Sequence, residues 1–221
     1  MKWLYVVSVI TGLLSGQCLA SPTQPEEGKD YIVISTPQKT SPHGNRVDVL
    51  EFILFHCPHC AKLEPLIKNW AASQRNAATL RTAHATFRGT KDPEVRLFYT
   101  LDAMGELDEW RPKIFHSTQQ EGVRMISDDS VLEWAKHSGL DSERFRHAWN
   151  SAEVISMTAK APETVKAYGL TYAPAFIVAG KFMTSPSLIK QNNPTLPPPM
   201  VNTALFNVLD FLVKHAREEI R

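Results

Sequence analysis

The chain has 221 residues, 43% of them hydrophobic and 21% charged, with 24 basic against 23 acidic side chains. That balance excludes a disordered chain, which needs low hydrophobicity and high net charge, and a formal charge of +1 gives no basic footprint for binding nucleic acid. The length fits one domain, or one domain with an insertion, around a real core, and three cysteines are too few for a disulfide-stapled scaffold.

Residues 1–20 read as a cleavable secretory signal. Lys2 gives a positive start, Trp3 to Leu14 is apolar apart from Ser8, Thr11 and Gly12, and Cys18-Leu19-Ala20 places small residues where a signal peptidase reads. The alternatives are an uncleaved anchor, for which the apolar stretch is short, and lipidation at Cys18, which the bulky Gln17 disfavours. Cleavage removes Lys2 and Cys18, which cancels the net charge and leaves Cys57 and Cys60 as the only cysteines. An exported chain enters an oxidising compartment. A bridge between residues three apart closes too small a ring to be a useful staple, so the pair is better explained by its chemistry.

Ser21 to Gly28 is a polar, mobile mature N-terminus. Tyr31 to Ile34 reads as a short strand closed by Pro37, and Ser41 to Asn45 as a turn-rich connection. Val47 to Phe55, VDVLEFILF, suits a central strand covered on both faces. Cys57-Pro58 opens a helix carrying Lys62, Leu63, Leu66, Ile67 and Trp70, with Pro58 in the first turn, where its missing N–H is not needed. Leu80 to Phe87 reads as another strand.

The middle of the chain is helical. Asp92-Pro93 caps a helix that ends at Gly105, with Val95, Phe98, Leu101 and Met104 on one face. Asp129 or Ser130 starts a second helix, ending at Gly139, and Asp141 or Ser142 starts a third that holds Phe145 and Trp149 in the core. Helix-favouring sequence continues to a stop at Gly169, with a break or kink at Pro162. These helices interrupt the strands rather than alternate with them, which points to a helical insertion over residues 90–166. Ala175 to Val178 and Lys181 to Met183 form a hairpin around Gly180, with Pro174 just before it. Asn192 to Pro199 is a stiff loop, and Met200 to Arg221 an amphipathic helix with Val201, Leu205, Val208, Leu209 and Leu212 on its apolar face.

A thiolate at a helix N-terminus meets the positive end of the macrodipole and free backbone N–H groups. Both lower its pKa and make it a nucleophile toward disulfides. In this arrangement Cys57 attacks and Cys60, one turn deeper, resolves the mixed disulfide. His59 adds a cation when protonated; its bland role is a solvated imidazole. The rival chemistry is zinc held by Cys57 and Cys60 with two of His56, His59 and His84, but structural zinc sites draw on two separated ligand pairs, and no second Cys pair exists.

Val49-Leu-Glu-Phe52 with His56-Cys-Pro-His-Cys60, Ala148-Trp-Asn-Ser151, and Tyr168-Gly-Leu with Pro174-Ala-Phe-Ile-Val178-Ala-Gly-Lys181 resemble the signatures of the DsbA-type periplasmic thiol:disulfide oxidoreductases. The resemblance runs from about Tyr31 to Met183. It implies an α/β protein, a thioredoxin-like fold with an inserted all-helical domain, in which residues 21–89 and 167–221 form the discontinuous thioredoxin-like domain. It implies that Cys57, Pro58, His59 and Cys60 are the redox centre and that Glu51, buried in the central strand, relays a proton to Cys60. It also implies a cis Ala173–Pro174 peptide, whose backbone pairs with an extended substrate.

The expected activity is transfer of the Cys57–Cys60 disulfide to newly exported, cysteine-containing proteins by a periplasmic monomer. A DsbB-type membrane protein reoxidises the dithiol, and no cofactor or metal takes part. The alternatives are a reductase or isomerase, or a non-catalytic peptide-binding chaperone of the same fold. The departures from the family are Thr82 where a lysine is familiar near the buried acid, Ala173 for a branched residue, Ala61 for an aromatic one, and the Pro-rich 184–199 loop.

Overall fold

The computed structural model describes residues 24–40 and 44–219, so the signal segment, Cys18 and part of the 41–45 turn lie outside the described residues. Its strands are β1 (Ile32–Val33), β2 (Val47–Ile53), β3 (Ala78–His84), β4 (Ala175–Val178) and β5 (Phe182–Thr184), and they form one sheet in the order β1-β5-β4-β2-β3. Among the described strands, β2 and β3 alone run parallel; β2 meets β4, β4 meets β5, and β5 meets β1 antiparallel.

All seven residues of β2 are buried, as a mostly apolar central strand requires, and they include two acids, Asp48 and Glu51. The strand period of two divides them: Val47 and Val49 pack against helix α1 (Pro58–Ser73) and helix α8 (Val201–Glu219), while Leu50 and Phe52 face Tyr168 and Val165 on the other side. Glu51 falls in the first set, on the α1 side, and sits opposite Thr82 of β3 in the parallel register. At Gly180, φ is 66° and a Cβ would lie 2.1 Å from the Gln38 carbonyl oxygen, so only glycine fits the turn between β4 and β5.

Five helices stand between β3 and β4: α2 (Pro93–Ala103), α3 (Leu107–Gln119), α4 (Asp128–Ser138), α5 (Ser142–Trp149) and α6 (Ala152–Ala167). Their shared core includes Phe98, Trp110, Phe145 and Trp149, and it reaches the sheet through Ile53, Phe55 and Cys60. Trp149 is a core residue, stacked on Phe145.

Several sequence expectations need correction. The first strand shrinks to two residues, because it pairs only with β5 at the sheet edge. The strand expected over Leu80 to Phe87 runs from Ala78 to His84, and Phe87 lies beyond it, exposed. α4 is capped earlier than expected, by a reciprocal Ser127–Ser130 capping box. α6 runs through Pro162, held by its buried Val154, Thr158, Ala161 and Val165. The 184–199 segment contains helix α7 (Pro186–Asn192), capped by Ser185; Ile189 and Leu196 pack into the α8 core, and Asn192 and Asn193 bond the Lys29–Asp30 segment.

Helix α3 occupies a stretch that sequence periodicity leaves unassigned. Pro112 lies inside it and removes the N–H that would bond the Asp108 carbonyl. Lys68 of α1 donates to that carbonyl instead, at 3.3 Å.

Candidate active site

β2 ends at Ile53, the Cys57 N–H bonds the Leu54 carbonyl at 3.1 Å to close a turn, and α1 begins at Pro58. Cys57 is therefore the N-cap. Its sulfur accepts the Cys60 N–H at 3.4 Å, and its thiol donates to the Ala173 carbonyl at 3.5 Å. The Ala173–Pro174 peptide is cis. Pro58 and His59 are exposed, Cys57 is partly buried and Cys60 is buried; both thiols are free. The structure thus brings Cys57, Cys60, Ala173 and Pro174 together as expected, with Pro58 and His59 on the outer rim.

The two sulfurs are unequal. The hydrogen bond from Cys60, with the backbone N–H groups of Cys60 and His59 and the charge of His59, holds the Cys57 thiol down at about 6 against the effect of burial. The same sulfur–sulfur hydrogen bond, burial, and the neighbouring Cys57 and Glu51 charges push Cys60 far up. One thiol is ready to ionise at neutral pH; the other needs a proton whenever it is released from a disulfide.

The turn before Cys57 is clamped from two directions. The Phe55 carbonyl accepts Thr118 Oγ1 at 2.8 Å and Gln119 Nε2 at 3.2 Å, both from α3. The Phe55 N–H donates to His84 Nε2 at 3.1 Å, and His84 Nδ1 donates to the Ala85 carbonyl at 2.6 Å. Both ring nitrogens of His84 are engaged within the protein, so this residue does not serve the zinc alternative. His56 Nδ1 bonds Glu94 Oε2 at 2.7 Å, and that bond raises the pKa of His56. Burial pushes Glu94 up, but the hydrogen bond from His56, with His84 alongside, reverses this and leaves it at about 2.

Glu51 lies within charge range of Cys60 and is fully buried. Burial pushes it up to about 7; Arg111 opposes the shift and Glu64 adds to it. Glu51 Oε2 accepts Thr82 Oγ1 at 3.3 Å and Arg111 Nη2 at 3.2 Å, and the same Nη2 bonds Glu64. Sequence reasoning placed Glu51 and Thr82 but missed Arg111, Glu64 and the His56–Glu94 pair. Glu64 carried one weak sequence signal, an acid four residues after Cys60 on the cysteine-bearing helix; its burial shows only in the structure.

A half-buried cysteine of low pKa, one helical turn from a buried one of high pKa, can trade one disulfide for two thiols. The class so defined is a thiol:disulfide oxidoreductase. The DSBA-like thioredoxin domain model matches residues 94–191. The thiol:disulfide interchange protein DsbA of Burkholderia cepacia is 30% identical over 99% of this chain and 98% of its own length. That of Bordetella pertussis is 32% identical over 76% of this chain and 80% of its own. Among solved structures, the oxidoreductase NmDsbA1 from N. meningitidis aligns with a TM-score of 0.72 and 25% identity, covering 88% of this chain and 95% of that one. Pseudomonas aeruginosa DsbA shares the fold, with a TM-score of 0.73 and 24% identity over 89% of this chain and 96% of its own. The chain belongs to the DsbA family of thiol:disulfide interchange proteins, with a thioredoxin fold and its inserted helices.

Proposed function

We propose that the protein is a periplasmic thiol:disulfide oxidase that donates a Cys57–Cys60 disulfide to exported proteins. The asymmetry of the two sulfurs carries this reading. A substrate thiolate attacks Cys57 Sγ, the Cys57–Cys60 bond breaks, and its electron pair leaves on Cys60. Cys60 takes a proton, which Glu51 supplies. A second substrate thiolate then attacks the substrate sulfur of the mixed disulfide and expels Cys57, whose low pKa makes it a good leaving group. The substrate loses two electrons and gains a disulfide; the protein is left as the dithiol.

The direction follows from the same asymmetry. Whatever stabilises the Cys57 thiolate stabilises the dithiol, so the disulfide becomes the stronger oxidant, by about 30 mV for each tenfold change in the equilibrium constant. Above about pH 6 Cys57 is ionised and this advantage is present; it fades as pH falls through that value. The Ala173 backbone, 3.5 Å from the Cys57 sulfur, is the edge against which an extended substrate pairs. No cofactor is needed, because electrons pass between cysteine pairs. The export motif fits work in the periplasm; we assign that work to a monomer, with a DsbB-type membrane protein taking the electrons.

Equilibration with glutathione tests the reading. We expect a potential well above the thioredoxin value of about −270 mV; a value at or below it makes the protein a reductase. Cys57→Ser should abolish oxidation, and Cys60→Ser should trap substrates as mixed disulfides on Cys57. Adducts forming on Cys60 in place of Cys57 would reverse the assigned order.

A further inference from the structure

The charged cluster beside Cys60 draws one residue from each of four elements: Glu51 from β2, Thr82 from β3, Glu64 from α1 and Arg111 from α3. Only Arg111 comes from the inserted helices. Its side chain is 4% exposed, and its neighbours account for its position. Nη1 donates to Thr82 Oγ1 at 2.8 Å, while Nη2 is shared between Glu51 Oε2, at 3.2 Å, and Glu64 Oε2. Lys68 stands at the rim, 3.0 Å from Glu64 Oε1.

Two features of this geometry bear on a proton. One buried guanidinium faces two buried carboxylates, and the balancing Lys68 ammonium is 40% exposed at the rim beside Glu64, so the interior around Glu51 keeps an excess of negative charge that a single proton would cancel. The donors are also one-sided: Thr82 and Arg111 both bond Glu51 Oε2, while Oε1 is buried and accepts nothing. A proton on Oε2 would compete with two donors, so the protonated carboxyl carries its hydrogen on Oε1. Burying an ionised carboxylate is costly, and a proton on Oε1 removes that charge while leaving the two hydrogen bonds to Oε2 in place.

We propose that Arg111 is a positioning residue for the Glu51 proton: it fixes the proton on Oε1, and by dividing its charge between Glu51 and Glu64 it sets how readily that proton passes to Cys60. This rests on the relay role of Glu51 in the oxidase reading and deepens it. In the exchange step the Cys57–Cys60 bond breaks, Cys60 receives the electron pair and then the Oε1 proton, and Glu51 is left as a carboxylate facing Arg111. The inserted helices thereby complete the proton site. The helix that carries Arg111 also clamps Phe55 through Thr118 and Gln119, so both contributions depend on its docking against the sheet.

The experiment is the pH–rate profile for reduction of the oxidised protein by dithiothreitol. Removing the guanidinium should make Glu51 hold its proton more tightly, so Arg111→Met should move the controlling pKa up by one unit or more, a tenfold change. Glu64→Gln removes the competing acid and should move it down. Arg111→Lys keeps the charge on a single head and should shift it less than half as far as Arg111→Met. In a Glu51→Gln background this titration should vanish, and Arg111→Met should then add no shift.

A merely structural arginine would not give opposite signs at Arg111 and Glu64. Should Arg111→Met fail to fold, the Arg111→Lys and Glu64→Gln profiles still decide. A profile unmoved by the Arg111 and Glu64 variants, or an Arg111 shift that persists without Glu51, overturns the proposal while the relay stands. A Glu51→Gln protein that keeps the parent profile overturns the relay reading itself.

Discussion

Glu51 and Glu94 are two buried acids near one redox centre, and they lose their protons at very different pH. Both are 1% exposed or less, yet Glu51 is pushed up to about 7 and Glu94 sits at about 2. The difference lies in how the positive charge is distributed. Glu94 has His56 at 2.7 Å and Arg88 at 3.7 Å, and it lies in the first turn of α2, where the helix dipole favours an anion. Glu51 shares its one guanidinium with Glu64 and leaves Oε1 without a donor. Burial alone drives a carboxyl toward its neutral form; a committed cation reverses the outcome, and a divided one does not.

The largest test of this contrast is Glu94→Gln. A depressed carboxyl contributes stability above its unfolded pKa and loses it as pH falls through the folded value. The substitution should therefore cost about 3 kcal/mol at pH 7, with the cost falling to less than half near pH 3. Denaturant unfolding at the two pH values measures it.

Glu51→Gln should do the reverse. A raised carboxyl is stabilising only while protonated, fully so below its unfolded pKa, and that benefit is lost as pH rises through about 7. Gln keeps the Arg111 and Thr82 hydrogen bonds without the buried charge. We expect it to stabilise the protein by about 2 kcal/mol at pH 8.5 and to have almost no effect at pH 4. Equal effects at both pH values would mean that the two acids do not differ as described.

His56→Gln is a milder break, because its side chain is 44% exposed. His56 has a raised pKa, so its contribution is present at low pH and lost as pH rises through that value. The cost should be about 1 kcal/mol at pH 5.5 and smaller at pH 9. The smallest effect is expected from Thr82→Val. It removes one weak donor to Glu51 and leaves Arg111 Nη1 without its acceptor, for about 1 kcal/mol or less and a further small rise in the Glu51 pKa, which a carboxyl ¹³C titration would follow.

Much of the site could be read from local pattern. VDVLEFILF gives a buried central strand, Cys57-Pro58 gives a helix start, and an acid inside that strand marks Glu51 as unusual before any coordinates exist. The inserted helices show through their caps at Asp92 and Asp141. What stayed hidden depends on long-range pairing. Arg111 meets Glu51 across 60 residues and Glu64 across 47, and His56 meets Glu94 across 38. No spacing rule for a helix or strand connects such positions. α3 has no such local mark, since Pro112 inside it weakens the helix pattern, and the prolines after Asn193 obscure the Ser185-Pro186 cap of α7.

Pro112 has one more consequence. A proline within a helix forfeits a hydrogen bond, and here the stranded Asp108 carbonyl becomes an anchorage for Lys68 on the helix that bears the cysteines. Local imperfection in one element is converted into attachment between two. Pro112→Ala would mend α3 and, in doing so, bring a helix N–H to share the oxygen that Lys68 holds. A substitution that helix propensity alone would choose for thermostability would make α3 a better helix while weakening its attachment beside the redox pair.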